Sequence, residues 1–198
     1  MSTSEDSFSK ARLEAFSDGV LAVIITIMVL DLKAPRTAEP AALVSVGPSF
    51  VIYLVSFFLT TIYWINHHAL LTQARHVSPR LLWANGGVLF SASLIPFATA
   101  YVAQTGLAPF PTAIYAGVQC VCGVAFNVMF RTIELQRDDE AFHRRARLQR
   151  RWNFAAVAVY AAAVVVALFN PIVAILLFTA VSLAYIAPQF PPGGRRDS

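Results

Sequence analysis

The run from Arg12 to Leu32 constrains this chain more than any other stretch. It is long enough to cross a bilayer as one helix, since a span needs about 20 mostly apolar residues. Only Gly19 to Leu30 is free of charge, however, and Arg12, Glu14 and Asp18 occupy the first turns. Charge at membrane depth is costly and persists where it faces a bundle interior or a water-filled path. The first helix is therefore expected to line a pore or a binding site, with the other helices holding it in place.

Composition supports the membrane reading. The chain is 57% hydrophobic and 13% charged, against about 25% charged in soluble domains, and its mean hydropathy is +0.61. A soluble globular class is excluded. The net charge of +4 raises nucleic acid as a partner. The basic residues instead sit between long apolar runs, as in cytoplasmic loops, so no nucleic acid is expected. Cys120 and Cys122 stand two apart in one apolar run, pointing roughly opposite ways on a helix, where they cannot form a normal bridge. They read as packing residues. No zinc-type spacing is present, and no cofactor is expected. The first apolar segment follows Ser, Glu and Asp and lacks a small-residue cleavage site, which argues against a cleaved leader.

The predicted fold class is an all-α integral membrane protein with six transmembrane helices, at roughly 11–32, 43–70, 80–104, 112–135, 152–169 and 172–187. These form one domain over roughly 11–187, flanked by a loose tail at 1–10 and a disordered tail at 188–198. The second helix ends in Trp64, Asn66, His67 and His68, and aromatic residues of this kind collect at membrane interfaces. The third carries Asn85, Gly86 and Gly87, suited to close helix contact and cross-helix hydrogen bonds. Pro96 should kink it by deleting a backbone donor. The charged stretch 131–151 reads as a cytoplasmic loop near lipid headgroups, or more sharply as a lipid or ligand site. Asn170-Pro171 makes a tight hairpin between the last two helices. With the N-terminus inside, 13 of the 15 Lys and Arg fall on inside segments, and only Lys33 and Arg36 fall outside. That bias predicts both termini in the cytoplasm and puts Arg12 and Asp18 in the inner half of the first helix.

At about 100° per residue, with Val23 at zero, Ile27 lies near about 40°, Leu30 near about −20°, Gly19 near about −40° and Thr26 near about −60°. Ser17 and Asp18 lie on the far side, near about 120° and about −140°. The first helix thus carries an apolar stripe with one hydroxyl at its margin. Such a stripe serves ordinary helix packing or lipid contact in many membrane proteins. Alternatively, symmetric copies bring it to a shared axis as a hydrophobic constriction that gates by dewetting. Asp18 then reads as a satisfied polar residue that locks helices together.

The run Arg12-x-x-x-Phe16-Ser17-Asp18 heading this helix resembles the signature of the endosomal and lysosomal potassium channel family, also called the transmembrane protein 175 family. Trp64 with His67 and His68, Asn85, and Pro96-Phe97 strengthen the resemblance, which is densest from Arg12 to Phe97. It implies a single-repeat prokaryotic member: a potassium-selective, leak-like cation channel of the cell membrane, built as a homotetramer with the first helix of each subunit lining a central pore. On this sequence it implies Val23, Ile27 and Leu30 as stacked constrictions. Val23 replaces an isoleucine common at the tightest ring and so widens it slightly. Thr26 would stand where a hydroxyl can help coordinate the potassium ion. Arg12, Phe16, Ser17 and Asp18, with His67, His68 and Asn85, would form a network supporting the pore. The expected partners are further copies of the chain, membrane lipids and potassium ions.

Two other function classes compete. A secondary transporter or proton-coupled exchanger would use Asp18 with His67 or His68 as a relay. Such sites usually lie near the midplane on broken helices within inverted repeats, whereas here the titratable groups gather near the inner end and no repeat is evident. A membrane enzyme needs a catalytic constellation. Adjacent His67 and His68 point about 100° apart and make poor joint ligands, so no enzymatic activity is expected. Nothing in the chain resembles a carbonyl filter of the Thr-Val-Gly-Tyr-Gly type, so potassium selection would have to proceed without one.

Overall fold

The computed structural model describes residues 9–186 apart from Arg36; the expected tails at 1–10 and 188–198 lie outside the described residues except for Ser9 and Lys10, which belong to the start of the first helix. The described chain is helical throughout, in the order α1 (Lys10–Leu30), α2 (Pro40–Leu71), α3 (Pro79–Ala92), α4 (Ile95–Gln104), α5 (Pro109–Glu134), α6 (Glu140–Ala167) and α7 (Pro171–Leu183). Helix starts follow local chemistry. Ser9, Ser78 and Asn170 cap α1, α3 and α7 with side-chain oxygens that accept from Arg12 N, Leu81 N and Val173 N. Proline opens α2, α3, α5 and α7, where its missing N–H costs nothing. Between α4 and α5 the chain reverses through Gly106 and Leu107, both at φ 62°. Glycine takes that conformation freely, and Leu107 adopts it at some cost.

Among the described residues five helical stretches are long and apolar enough to span a membrane: α1, α2, the combined run Pro79–Gln104, α5 and Phe142–Ala167 of α6; α7 is a shorter apolar helix. Two details differ from the sequence expectation. The third span is broken rather than kinked. Helical bonding pauses at Ser93 and Leu94, whose N–H groups reach Leu89 O and Ser91 O, and α4 restarts with Pro96 in its first turn. Proline cannot donate to the carbonyl four residues back, so the first turn of a new helix accommodates it best. The second difference concerns 131–151, expected as a loop. Arg131 lies in the last turn of α5, which ends at Glu134, and residues 140–151 already belong to α6.

α5 is the hub, packed against α3, α4, α6 and α7, while α1 packs on α2, α3 and α4. One apolar cluster joins α1, α2, α3, α5 and α6 through Leu13, Leu70, Leu81, Val88, Met129 and Phe142. A second seats α1 on α3 to α5 through Leu21, Ile24, Met28, Leu89, Ile95 and Cys122. At Gly123 an added Cβ would stand 3.0 Å from Val157 Cγ2, so glycine is what lets α5 and α6 approach closely.

Candidate pore helix and its anchors

α1 divides cleanly into two faces. Leu13, Ser17, Leu21, Ile24 and Met28 are buried against the chain's own helices. Their spacing of four, four, three and four follows one side of the helix. The opposite side holds Phe16, Gly19, Val23, Thr26, Ile27 and Leu30, all exposed. Val23 is 53% exposed, Ile27 43% and Leu30 78%, so the described residues leave the stripe largely uncovered. Beside it runs an open groove of about 820 Å³, in which Phe16, Gly19, Val23 and Ile27 face Pro96 and Phe97 of α4.

The buried face is fixed by a directed chain of hydrogen bonds. His67 Nε2 lies 2.7 Å from Asn85 Oδ1. Because a carbonyl oxygen only accepts, His67 carries its proton on Nε2. Asn85 Nδ2 donates to Ser17 Oγ at 3.0 Å, and Ser17 Oγ donates to Leu13 O at 2.8 Å. Ser17, His67 and Asn85 are all at most 2% exposed. They tie α1 to α2 and α3 in a setting where an unpaired polar group is costly. Asp18 sits at the edge of this group, its Oδ1 accepting from Trp64 Nε1 at 2.8 Å.

The structure therefore brings Ser17, Asn85 and His67 together and places Asp18 beside them with Trp64. His68 is exposed, about 100° further round α2, and joins none of these bonds. Arg12 is exposed in the first turn of α1, and its backbone N–H is capped by Ser9 Oγ. Phe16 lies on the exposed face rather than among the buried polar groups. The Thr26 hydroxyl donates within its own helix, 3.0 Å from both Ala22 O and Val23 O, leaving its lone pairs outward. Asp18 and His67, the pair a proton relay would use, share no hydrogen bond: each is engaged by a different partner. Among the described residues no group of three or more His, Cys, Asp or Glu could hold a metal ion.

Sequence reasoning missed three anchors. Lys10 Nζ donates to Thr72 O at 2.6 Å and Ala74 O at 3.2 Å, clamping the start of α1 to the carbonyl end of α2, where cations are favoured. Behind Met28, Thr99 Oγ1 donates to Ser56 Oγ at 2.9 Å, and Ser56 Oγ meets Tyr115 OH at 2.9 Å. Glu134, nearly buried, binds Arg131 at 2.8 Å and lies near Arg150 and His143 at 3.6 and 3.8 Å, so it joins α5 to α6. A lone Lys before a helix and an acid in an Arg-rich stretch were the available signals. Neither reveals its partner.

A family model described as endosomal/lysosomal potassium channel TMEM175 matches residues 12–96, the stretch that contains this anchored helix and its partners. The chain is 36% identical over 186 residues to a protein of Chryseobacterium sp. (strain P1-3) named a potassium channel, covering 91% of this chain and 94% of that one. It is 34% identical over 127 residues to another so named in Streptomyces collinus, covering 60% and 62%. Its fold matches the crystal structure of a lysosomal potassium-selective channel TMEM175 homolog from Chamaesiphon minutus with a TM-score of 0.78 at 24% identity, over 89% of this chain and 95% of that chain. On the sequence match across nearly its whole length, and on the fold it shares, the chain belongs to the TMEM175 family.

Proposed function

We propose that this chain forms a potassium-selective, leak-like cation channel of the cell membrane. In it four copies set their α1 helices around a common axis, with both termini on the cytoplasmic side. The observation that carries this reading is the two-faced α1. One face is anchored by Leu13, Ser17, Leu21, Ile24 and Met28, while Val23, Ile27 and Leu30 stay exposed on the other, Val23 and Ile27 beside an open groove that Pro96 and Phe97 of α4 border. Each copy contributes one α1, so a closed pore lined by that helix requires several copies in cyclic symmetry. The relatives' names supply the ion.

Around the axis, Val23, Ile27 and Leu30 would form three apolar rings separated by about 6 Å and about 4.5 Å of helix rise. Rings of this kind gate by excluding water when narrow. An ion crossing them sheds part of its hydration, which favours the ion that releases water more cheaply. Thr26 lies between two of the rings, and its outward lone pairs offer an oxygen contact at the pore margin. Ser17, Asp18, Trp64, His67 and Asn85 act at one remove, holding the helix at the angle that aligns the rings. Phe16 and the groove beside Phe97 supply apolar surface for the neighbouring copy.

The test is ion flux through the purified protein in liposomes. Potassium flux should exceed sodium flux and should not saturate over the concentrations at which carriers do. Ile27→Asn and Leu30→Asn should raise conductance or reduce the potassium preference. Absent flux would overturn the channel, and saturable counterflow, or pH-driven uptake abolished by Asp18→Asn in a folded protein, would replace it by an exchanger.

A further inference from the structure

The outward face of α6 carries a feature that the pore does not use. α6 packs on α5 and α7, whereas α1 packs on α2, α3 and α4, so α6 stands on the side of the subunit away from the anchored helix. Over its first half the buried positions are Phe142, Ala146, Gln149, Asn153 and Ala156. The opposite face presents Arg144, Arg147, Leu148 and Arg151 at i, i+3, i+4 and i+7, all exposed, with Trp152 beside them. The acids of the neighbourhood are already engaged: Glu134 by Arg131 and Arg150, and Asp138 by Arg75. Glu140 reaches Arg144 only at 3.7 Å, with both side chains largely in solvent. Arg147 and Arg151 have no ion pair among the described residues.

We propose that this face is a binding surface for anionic phospholipid headgroups. The charge-free helix from Trp152 to Ala167 rises about 24 Å, and Leu168 and Phe169 extend it toward the roughly 30 Å of a hydrocarbon core. That fit sets Trp152 at the membrane boundary, where its amphipathic ring belongs. Arg151 then lies at phosphate depth, with Arg147 and Arg144 one and two turns further out. Because the stretch is rigid helix rather than loop, the three guanidiniums stay in line: Arg151 can hold two oxygens of one phosphate bidentately, and Arg147 and Arg144 extend the positive charge outward over the headgroups. Leu148 and Trp152 (60% exposed each) offer apolar surface to the acyl chains between them.

The experiment measures quenching of Trp152 by brominated lipids in reconstituted full-length protein, taken as the difference between the wild type and Trp152→Phe. Vesicles of mixed lipid carry bromine on either phosphatidylglycerol or phosphatidylcholine. One Arg beside an anionic surface is worth roughly fivefold in partition. The wild type should therefore show brominated phosphatidylglycerol enriched about fivefold or more over its bulk share. In Arg144→Gln/Arg147→Gln/Arg151→Gln the enrichment should fall toward one. Equal quenching by both lipids in the wild type overturns the proposal without recourse to the variant. Quenching by neither means that protein covers the face, and that also overturns it. Unchanged enrichment in a folded triple variant assigns the lipid preference elsewhere.

Discussion

Asn85 offers the sharpest test of how α1 is held. It accepts from His67 Nε2 and donates to Ser17 Oγ, with all three side chains buried. Asn85→Leu keeps the approximate volume but removes both bonds. Ser17 still donates to Leu13 O, so its loss is small. His67, 1% exposed, loses the one acceptor its Nε2–H has. A stranded buried donor costs about 1–3 kcal/mol, and a lost interhelical hydrogen bond in a membrane protein adds about 0.6 kcal/mol. The expected cost is about 2–4 kcal/mol. At roughly 2–4 °C per kcal/mol for a chain of this size, the midpoint of thermal unfolding in detergent should drop by about 4–16 °C. His67→Phe in the same background removes the stranded donor, and replacing both partners by apolar groups can be nearly neutral. The double variant should therefore be no less stable than Asn85→Leu alone, a coupling of about 1 kcal/mol or more. If the two single costs simply add, or if Asn85→Leu costs less than about 0.5 kcal/mol, the bond chain does not anchor the helix and the reasoning fails.

Other perturbations follow from the same geometry. Lys10→Ala removes two bonds to the end of α2 and should speed hydrogen exchange in the first turn of α1 at a stability cost of about 1 kcal/mol, with Lys10→Arg restoring part of the protection. Pro96→Ala restores a donor to the helix ladder. Spin labels placed at Trp83 and Tyr101 should then report a straighter α3–α4 span, and an unchanged distance distribution would mean that Ser93 and Leu94 break it unaided. Gly123→Ala places a methyl group 3.0 Å from Val157 Cγ2; it should cost about 1–3 kcal/mol in thermal unfolding, relieved by adding Val157→Ala.

Much of α1 was legible before any coordinates, because an apolar stripe and a polar far side separate on a 100° wheel whatever the tertiary fold. Which polar residue meets which was not. His67 and His68 are equivalent in sequence, and only the packing of α2 on α3 turns one into the buried partner of Asn85 while leaving the other exposed. The stretch 131–151 reads as a loop by charge density and as a helix by periodicity, and it is helical from Glu140 on. Phe142, Ala146, Gln149 and Asn153 recur at four, three and four, a buried helical face already present in the sequence, and their contacts with α5 outweigh the solvated Arg face. The break before Pro96 was read as a kink because local chemistry predicts the missing donor, not where the chain restarts. Lys10 and Glu134 act across 62 residues and between two helices respectively, distances over which sequence pattern carries no register.

The central claim is that the exposed face of α1 lines a water-filled path shared by copies of the chain. The most direct measurement is block of potassium flux by silver ion, with single cysteines introduced along α1 in a Cys120→Ala/Cys122→Ala background. Val23→Cys, Ile27→Cys and Leu30→Cys should be blocked rapidly, while Leu21→Cys, Ile24→Cys and Met28→Cys should conduct unhindered. Block at the buried positions, or no block at the three exposed ones in a conducting protein, would contradict the account.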